Sequence, residues 1–192
     1  YGRMCIRGSD GGTACPAGSD GRLFVQVVGE VSDDPGAVFD LAEMFPSSEA
    51  VDAGTVVVAD SGARATVKMS SYPYQKVLGV VSSTPALMIN EGSFEVGGGM
   101  REVDPMKPLV ALVGRVPVKV TNENGPIQVG DRLVASSTPG YAMRATKQGL
   151  TLGMAIEDID FTDATEGKVM TFVNVSWYFP EVIAALEAQQ AV

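Results

Sequence analysis

Two stretches of this chain carry the same order of residue types, and that repetition limits the available folds more than any other feature. The first runs Val51-Asp52-Ala53-Gly54-Thr55-Val56-Val57-Val58-Ala59-Asp60, and the second Ile127-Gln128-Val129-Gly130-Asp131-Arg132-Leu133-Val134-Ala135-Ser136. Both read apolar-x-x-Gly followed by a strand. A turn comes next in each, at Ser61-Gly62 and at Thr138-Pro139-Gly140. A return strand with a basic residue follows, Thr66-Val67-Lys68 in one and Ala142-Met143-Arg144-Ala145-Thr146 in the other. Each unit then reaches a strand built around Leu-Gly, Val77-Leu78-Gly79-Val80-Val81 and Thr151-Leu152-Gly153-Met154-Ala155-Ile156. Glycine lets the chain turn sharply into a strand. Within a strand it marks a bulge or a close backbone crossing. A duplicated hairpin-plus-strand unit is one way to close a small barrel or a pseudo-symmetric sandwich.

The expected fold is therefore all-β: a pseudo-duplicated small barrel or sandwich, with an N-terminal disulfide-stapled extension and a short C-terminal helix. Turn residues are abundant, with 22 Gly and 11 Pro among 192 residues. The apolar share of 45% against 19% charged is that of a globular chain. The organisation expected is an N-terminal extension over 1–37, the duplicated β domain over 38–178 and a helix over 179–192.

In the extension, Cys5-Ile6-Arg7-Gly8-Ser9-Asp10-Gly11 returns as Cys15-Pro16-Ala17-Gly18-Ser19-Asp20-Gly21. Each copy ends in a Ser-Asp-Gly turn, which brings Cys5 near Cys15. A disulfide between them is the expectation, because a small loop-rich tip gains most from a staple; two buried thiols or a cross-link between subunits are the alternatives. Residues 21–31 read as a strand. Val38–Phe45 fits a short helix or a strand equally well. Leu109–Val120 looks central, with Pro117 placing its far end at an edge or bulge. Residues 91–107, with Gly97-Gly98-Gly99, read as a long exposed excursion. Val169–Tyr178 is the last strand. Pro180 then opens a helix, as proline suits the first turn. Phe179, Val182, Ile183 and Leu186 make one apolar stripe on it. So short a helix needs something to pack on, either its own sheet or a neighbouring subunit.

The net charge of −9, with no basic cluster, argues against nucleic acid as the main partner. No apolar run approaches the length of a membrane span. The chain has no histidine, which removes histidine-based nucleophile systems and the usual zinc sites. No cofactor is expected. The sequence starts at Tyr1 rather than Met, which suggests a processed or truncated chain.

Few side chains suggest chemistry. Asp40 and Glu43 are three apart, and on a helix they would share a face and could serve as acid and base; a structural pair is the plainer expectation. Asp158, Asp160 and Asp163, with Glu166 and Gly167, resemble a calcium loop. The resemblance fails at the sixth position, where Asp163 replaces glycine, and at the twelfth, where Val169 replaces glutamate. Asn174-Val175-Ser176 matches a glycosylation acceptor but lies within an expected strand.

Several strings together resemble a known module. They are Asp40–Phe45, Val51-x-x-Gly54-x-Val56-Val57-Val58, Val77–Ser82, Val110–Val120, Asn124-Gly125-Pro126-Ile127-x-x-Gly130-Asp131-x-Leu133 and Ser137–Met143. The sequence over 38–176 is similar to a β-rich module near the C-termini of large bacterial surface proteins and phage appendages. It is more distantly similar to the self-cleaving intramolecular chaperone domain of phage neck appendages. The resemblance implies a trimeric or otherwise repeated assembly role, and the distant one implies Asp40 and Glu43 as residues of self-cleavage.

The function expected is that of a structural or assembly module of an extracellular, cell-surface or virion appendage, forming a homo-oligomer or filament through Phe179, Val182, Ile183 and Leu186. An autoproteolytic maturation domain is the alternative, and a receptor- or glycan-binding tip using the 91–107 excursion is a further one. Catalysis on a small substrate is not expected.

Overall fold

A computed structural model describes residues 40–90, 93–96 and 102–190 of the chain. The Cys5–Cys15 pairing and the strand expected over 21–31 lie outside the described residues. Among the described residues the strands are β1 (Asp40–Met44), β2 (Val56–Ala59), β3 (Val67–Met69), β4 (Val77–Val81), β5 (Leu87–Asn90), β6 (Ser93–Val96), β7 (Leu109–Thr121), β8 (Arg132–Ala135), β9 (Ala142–Arg144), β10 (Gly149–Ala155) and β11 (Glu166–Tyr178), followed by the helix α1 (Pro180–Gln190).

The sequence repeat is a structural repeat. In the first unit β2 lies between β3 and β4 and is antiparallel to both. In the second, β8 lies between β9 and β10 in the same way. Gly54 and Gly130 adopt φ of +89° and +96° at the entries to these units, the left-handed region that glycine tolerates best. The third strands also correspond. A Cβ on Gly79 would lie 2.3 Å from the Ala111 carbonyl oxygen of β7, and one on Gly153 would lie 2.1 Å from the Phe172 carbonyl oxygen of β11. The two Leu-Gly steps are therefore the close backbone crossings expected from the sequence.

The repeats are joined by the two longest strands. β7 and β11 pair antiparallel from Glu166↔Thr121 to Asn174↔Val113. All eleven strands belong to one connected sheet, rather than the two separate sheets of a sandwich. Within it the pairing runs β7–β11–β10–β8–β9 and back to β7 through the parallel contact Val120↔Ala142. One apolar cluster joins Val56, Val80, Val118, Leu133, Leu152 and Val169 across both repeats, and a second holds Val51, Val57, Val67, Val81 and Val110. Polar contacts also cross between the repeats. Gly140 donates to the Ser70 carbonyl at 2.9 Å and accepts from the Val56 amide at 2.8 Å. The Tyr74 hydroxyl accepts from the amides of Thr146 at 2.8 Å and Lys147 at 3.1 Å. Lys119 of β7, the strand between the repeats, donates to Asp52 and, at 3.2 Å, to the Thr55 hydroxyl of the first.

Four local readings are resolved by the structure. The ambiguous stretch at Val38–Phe45 yields a strand, β1, parallel to β5 and antiparallel to β7; two partners outweigh the helical spacing. Pro117 sits inside β7 opposite Met170, with no strand paired on the other side of β7 at that point, a local edge as expected. It is tolerated because β7 changes neighbour there: pairing with β1 ends at Gly114 and pairing with β9 comes at Val120. The expected 91–107 excursion starts earlier, as the hairpin β5–β6 over Leu87–Val96. Its described end is tied down, since the carbonyls of Pro105, Met106 and Pro108 accept from the amides of Val51, Ser47 and Phe45. The last strand begins at Glu166 rather than Val169, because its extra residues pair with the end of β7.

Candidate functional site: a buried acid and an exposed apolar tail

Strand alternation decides the fate of the carboxylate pair. On β1, Asp40 and Ala42 point into the core while Leu41 and Glu43 do not. Side chains three apart on a strand take opposite faces, so the shared helical face required for Asp40 and Glu43 to act together does not form. Asp40 is nonetheless unusual. Its side chain is buried, its Oδ1 accepts from the Ser82 hydroxyl at 3.2 Å, and its Oδ2 has no partner. Burial raises its pKa to about 6, partly opposed by the Ser82 hydrogen bond. The Ser82 oxygen also accepts from the Thr84 amide at 3.2 Å, while the Asp40 carbonyl accepts from the Ala86 amide at 3.0 Å. The pair is thus a carboxylic acid and a hydroxyl, both enclosed and both held by backbone contacts. Ser82 could not be found from the sequence, because its link to Asp40 spans 42 residues.

The acidic segment near the end of the second repeat makes turns. Asp158 accepts from the Val129 amide at 2.6 Å, and Asp160 accepts from the Thr162 amide at 3.1 Å. The Thr162 hydroxyl and amide hold Asp160 below the usual carboxylate range. Asp163 lines an open depression with Asn122, Phe161 and Thr165. Among the described residues no group of three or more acidic or sulfur side chains converges as a metal site would require.

The apolar residues Phe179, just before α1, and Val182, Ile183 and Leu186 within it are left uncovered. Phe179, Val182, Ile183 and Leu186 remain 47%, 57%, 42% and 54% exposed. Trp177, at the end of β11, stacks on Phe179 with ring centroids 6.2 Å apart and is itself exposed. A single residue, Phe179, joins β11 to α1.

A second exposed apolar element was not legible in the sequence. Arg115 of β7 lies opposite Phe172 of β11, Phe172 opposite Met154 of β10, and Met154 opposite Arg132 of β8. These four side chains form one row across four strands. They are on the face turned away from the core, since the flanking residues Thr171, Val173, Ala155 and Leu133 are buried. Phe172 and Met154 are both more than a third exposed, with an arginine at either end of the row.

No protein-family model matches the chain, and no curated protein matches it. The structure is similar to that of the C-terminal fragment of gene product 12 of bacteriophage phi29, with a TM-score of 0.47 and 15% identity over 70% of this chain and 100% of that one. It is also similar to pre-mature gene product 12 of the same phage, with a TM-score of 0.49 and 15% identity over 71% of this chain and 22% of that one. These likenesses concern fold alone.

Proposed function

We propose that this chain is a structural or assembly module of an extracellular bacterial or phage appendage, and that it works by associating with copies of itself into an oligomer or filament. The observation that carries this reading is the uncovered apolar tail from Trp177 to Leu186. A helix of three turns is marginal in water by itself, and a contiguous apolar surface rimmed by polar residues marks an interaction site. The resemblance of residues 38–176 to modules of surface and appendage proteins supplies the setting. Sedimentation of the purified chain, beside a Val182→Lys/Leu186→Lys variant, tests the reading. Oligomers in the parent and monomers in the variant support it, and a monomeric parent removes it.

A second reading, autoproteolytic maturation, is favoured by Asp40. An acid whose pKa is near 6 has both protonation states available close to neutrality, as acid–base work requires. The Ser82 hydroxyl lies in contact with it. The role would fall to Asp40 without Glu43. A longer precursor carrying Asp40→Asn, followed by gel electrophoresis, tests this: cleavage that persists at the parental rate excludes Asp40.

A further inference from the structure

Asn124-Gly125 is the only Asn-Gly pair in the chain; Asn90 and Asn122 precede glutamate, and Asn174 precedes valine. Such a pair is chemically labile, because glycine has no side chain to shield its amide nitrogen from the neighbouring carboxamide. In deamidation that nitrogen attacks the asparagine Cγ. The new N–Cγ bond forms, the Cγ–Nδ2 bond breaks, and ammonia leaves with the proton of the glycine amide. Water then opens the cyclic imide to aspartate or isoaspartate.

The fold ties down both reacting groups. The Gly125 amide donates to the Asn122 carbonyl at 2.7 Å and closes the turn after β7, with Gly125 at φ +82°. Nδ2 of Asn124 donates to the Arg144 carbonyl at 2.8 Å and lies 3.3 Å from the Met143 sulfur. The Arg144 side chain returns the contact, its Nε and Nη2 donating to the Asn124 main-chain carbonyl at 3.1 and 2.7 Å. Bringing the Gly125 nitrogen onto Cγ turns the peptide plane between the two residues. Attack therefore has to break the turn bond and both guanidinium bonds, and to pull the carboxamide off Arg144. The guanidinium also draws electrons from that peptide, which favours an ionised nitrogen, but this pull ends once the plane turns.

The same bonds reinforce a thin seam. β7 and β9 pair through Val120↔Ala142 alone, and that contact closes the ring of β7, β11, β10, β8 and β9. Asn124 follows β7 and Arg144 ends β9, so their reciprocal hydrogen bonds extend the seam beyond its one register pair.

We infer that Asn124 is a latent deamidation site of this chain, and that Arg144 holds it inert for as long as the β7–β9 seam is closed. Conversion runs one way. An aspartate there sets a carboxylate oxygen against the Arg144 carbonyl, acceptor on acceptor, and isoaspartate adds a methylene to the main chain of the turn. Either product weakens the closure of the second repeat.

Peptide mapping by mass spectrometry tests this, on the whole chain held folded at mildly alkaline pH beside the same chain in denaturant. Conversion at Asn124 is expected in denaturant, and at least roughly tenfold slower in the fold. Arg144→Met is expected to convert roughly tenfold faster than the parent, with Arg144→Lys, which keeps the charge and loses the fork, between them. A folded parent that converts at the denatured rate overturns the inference, and so does a folded Arg144→Met that converts at the parental rate. Should Arg144→Met lose its β circular dichroism, hydrogen exchange at the Gly125 amide of the parent decides instead: protection supports the inference, and exchange at the rate of an open chain overturns it. Asn124→Asp is expected to lower the denaturant midpoint while Asn122→Asp, at an exposed position, leaves it in place; equal midpoints in both variants overturn the link to the seam.

Discussion

Gly54 and Gly130 make the same hydrogen bond at the same point of the two repeats. Each amide donates to the carbonyl two residues past the Leu-Gly glycine of its unit, Val81 at 2.8 Å and Ala155 at 2.9 Å. The reciprocal bonds match as well: the Val81 amide donates to the Thr55 carbonyl and the Ala155 amide to the Asp131 carbonyl, both at 2.9 Å. The first and third segments of each unit are thus locked by one device, used twice. That lock fixes where β4 crosses β7 and where β10 crosses β11. It consequently fixes which residues of β10 and β11 face outward.

The crossings predict a sharp intolerance. Gly79→Ala would place a methyl 2.3 Å from the Ala111 carbonyl oxygen, and Gly153→Ala one 2.1 Å from that of Phe172. Neither oxygen can give way without moving a central strand. Each substitution should cost roughly 1–3 kcal/mol or more, read as a lower denaturant midpoint. Gly62→Ala is the control: its nearest contact is 3.5 Å, to the Asp60 side chain, and its effect should stay within about 0.5 kcal/mol.

Asp40 predicts a pH dependence of defined sign. Its pKa is raised from 3.8 to about 6 in the fold. Between those values the folded chain keeps a proton that the unfolded chain has released. The contribution of Asp40 is therefore fully present below about pH 4 and is lost as pH rises to about 6, by at most about 3 kcal/mol. Asp40→Asn mimics the protonated acid. It should be more stable than the parent at pH 7, with the difference shrinking towards pH 4. Parallel pH profiles of the two denaturation midpoints would show that Asp40 does not titrate in this way.

Tyr74 predicts a coupling between the repeats. Its hydroxyl accepts two amide protons from the β9–β10 turn, and its ring lies 4.7 Å from the Lys147 ammonium. Tyr74→Phe keeps the ring and removes the acceptor. A loss of about 0.5–1.5 kcal/mol is expected, with faster hydrogen exchange at Thr146 and Lys147. Exchange rates unchanged at those two amides would contradict the clamp.

The sequence showed what local chemistry encodes and missed what register creates. The two units, their opening glycines and the Leu-Gly crossings were legible, because each rests on residues a few positions apart. The α1 helix was legible for the same reason. β1 was ambiguous because Asp40–Met44 satisfies two periodicities, and only its pairing with β5 and β7 chooses between them. Pro117 marked the one-sided stretch of β7, but the gap between β1 and β9 that makes it so belongs to the sheet. The enclosure of Asp40 depends on Ser82. The Arg115–Phe172–Met154–Arg132 row combines four strands, and none of its residues stands out in sequence.

Self-association is the central claim, and sedimentation velocity of the whole chain across the micromolar range tests it most directly. The account predicts species well above the 20.0 kDa of one chain, growing with concentration and reduced to single chains by Val182→Glu/Leu186→Glu. A single species of 20.0 kDa at every concentration would contradict it.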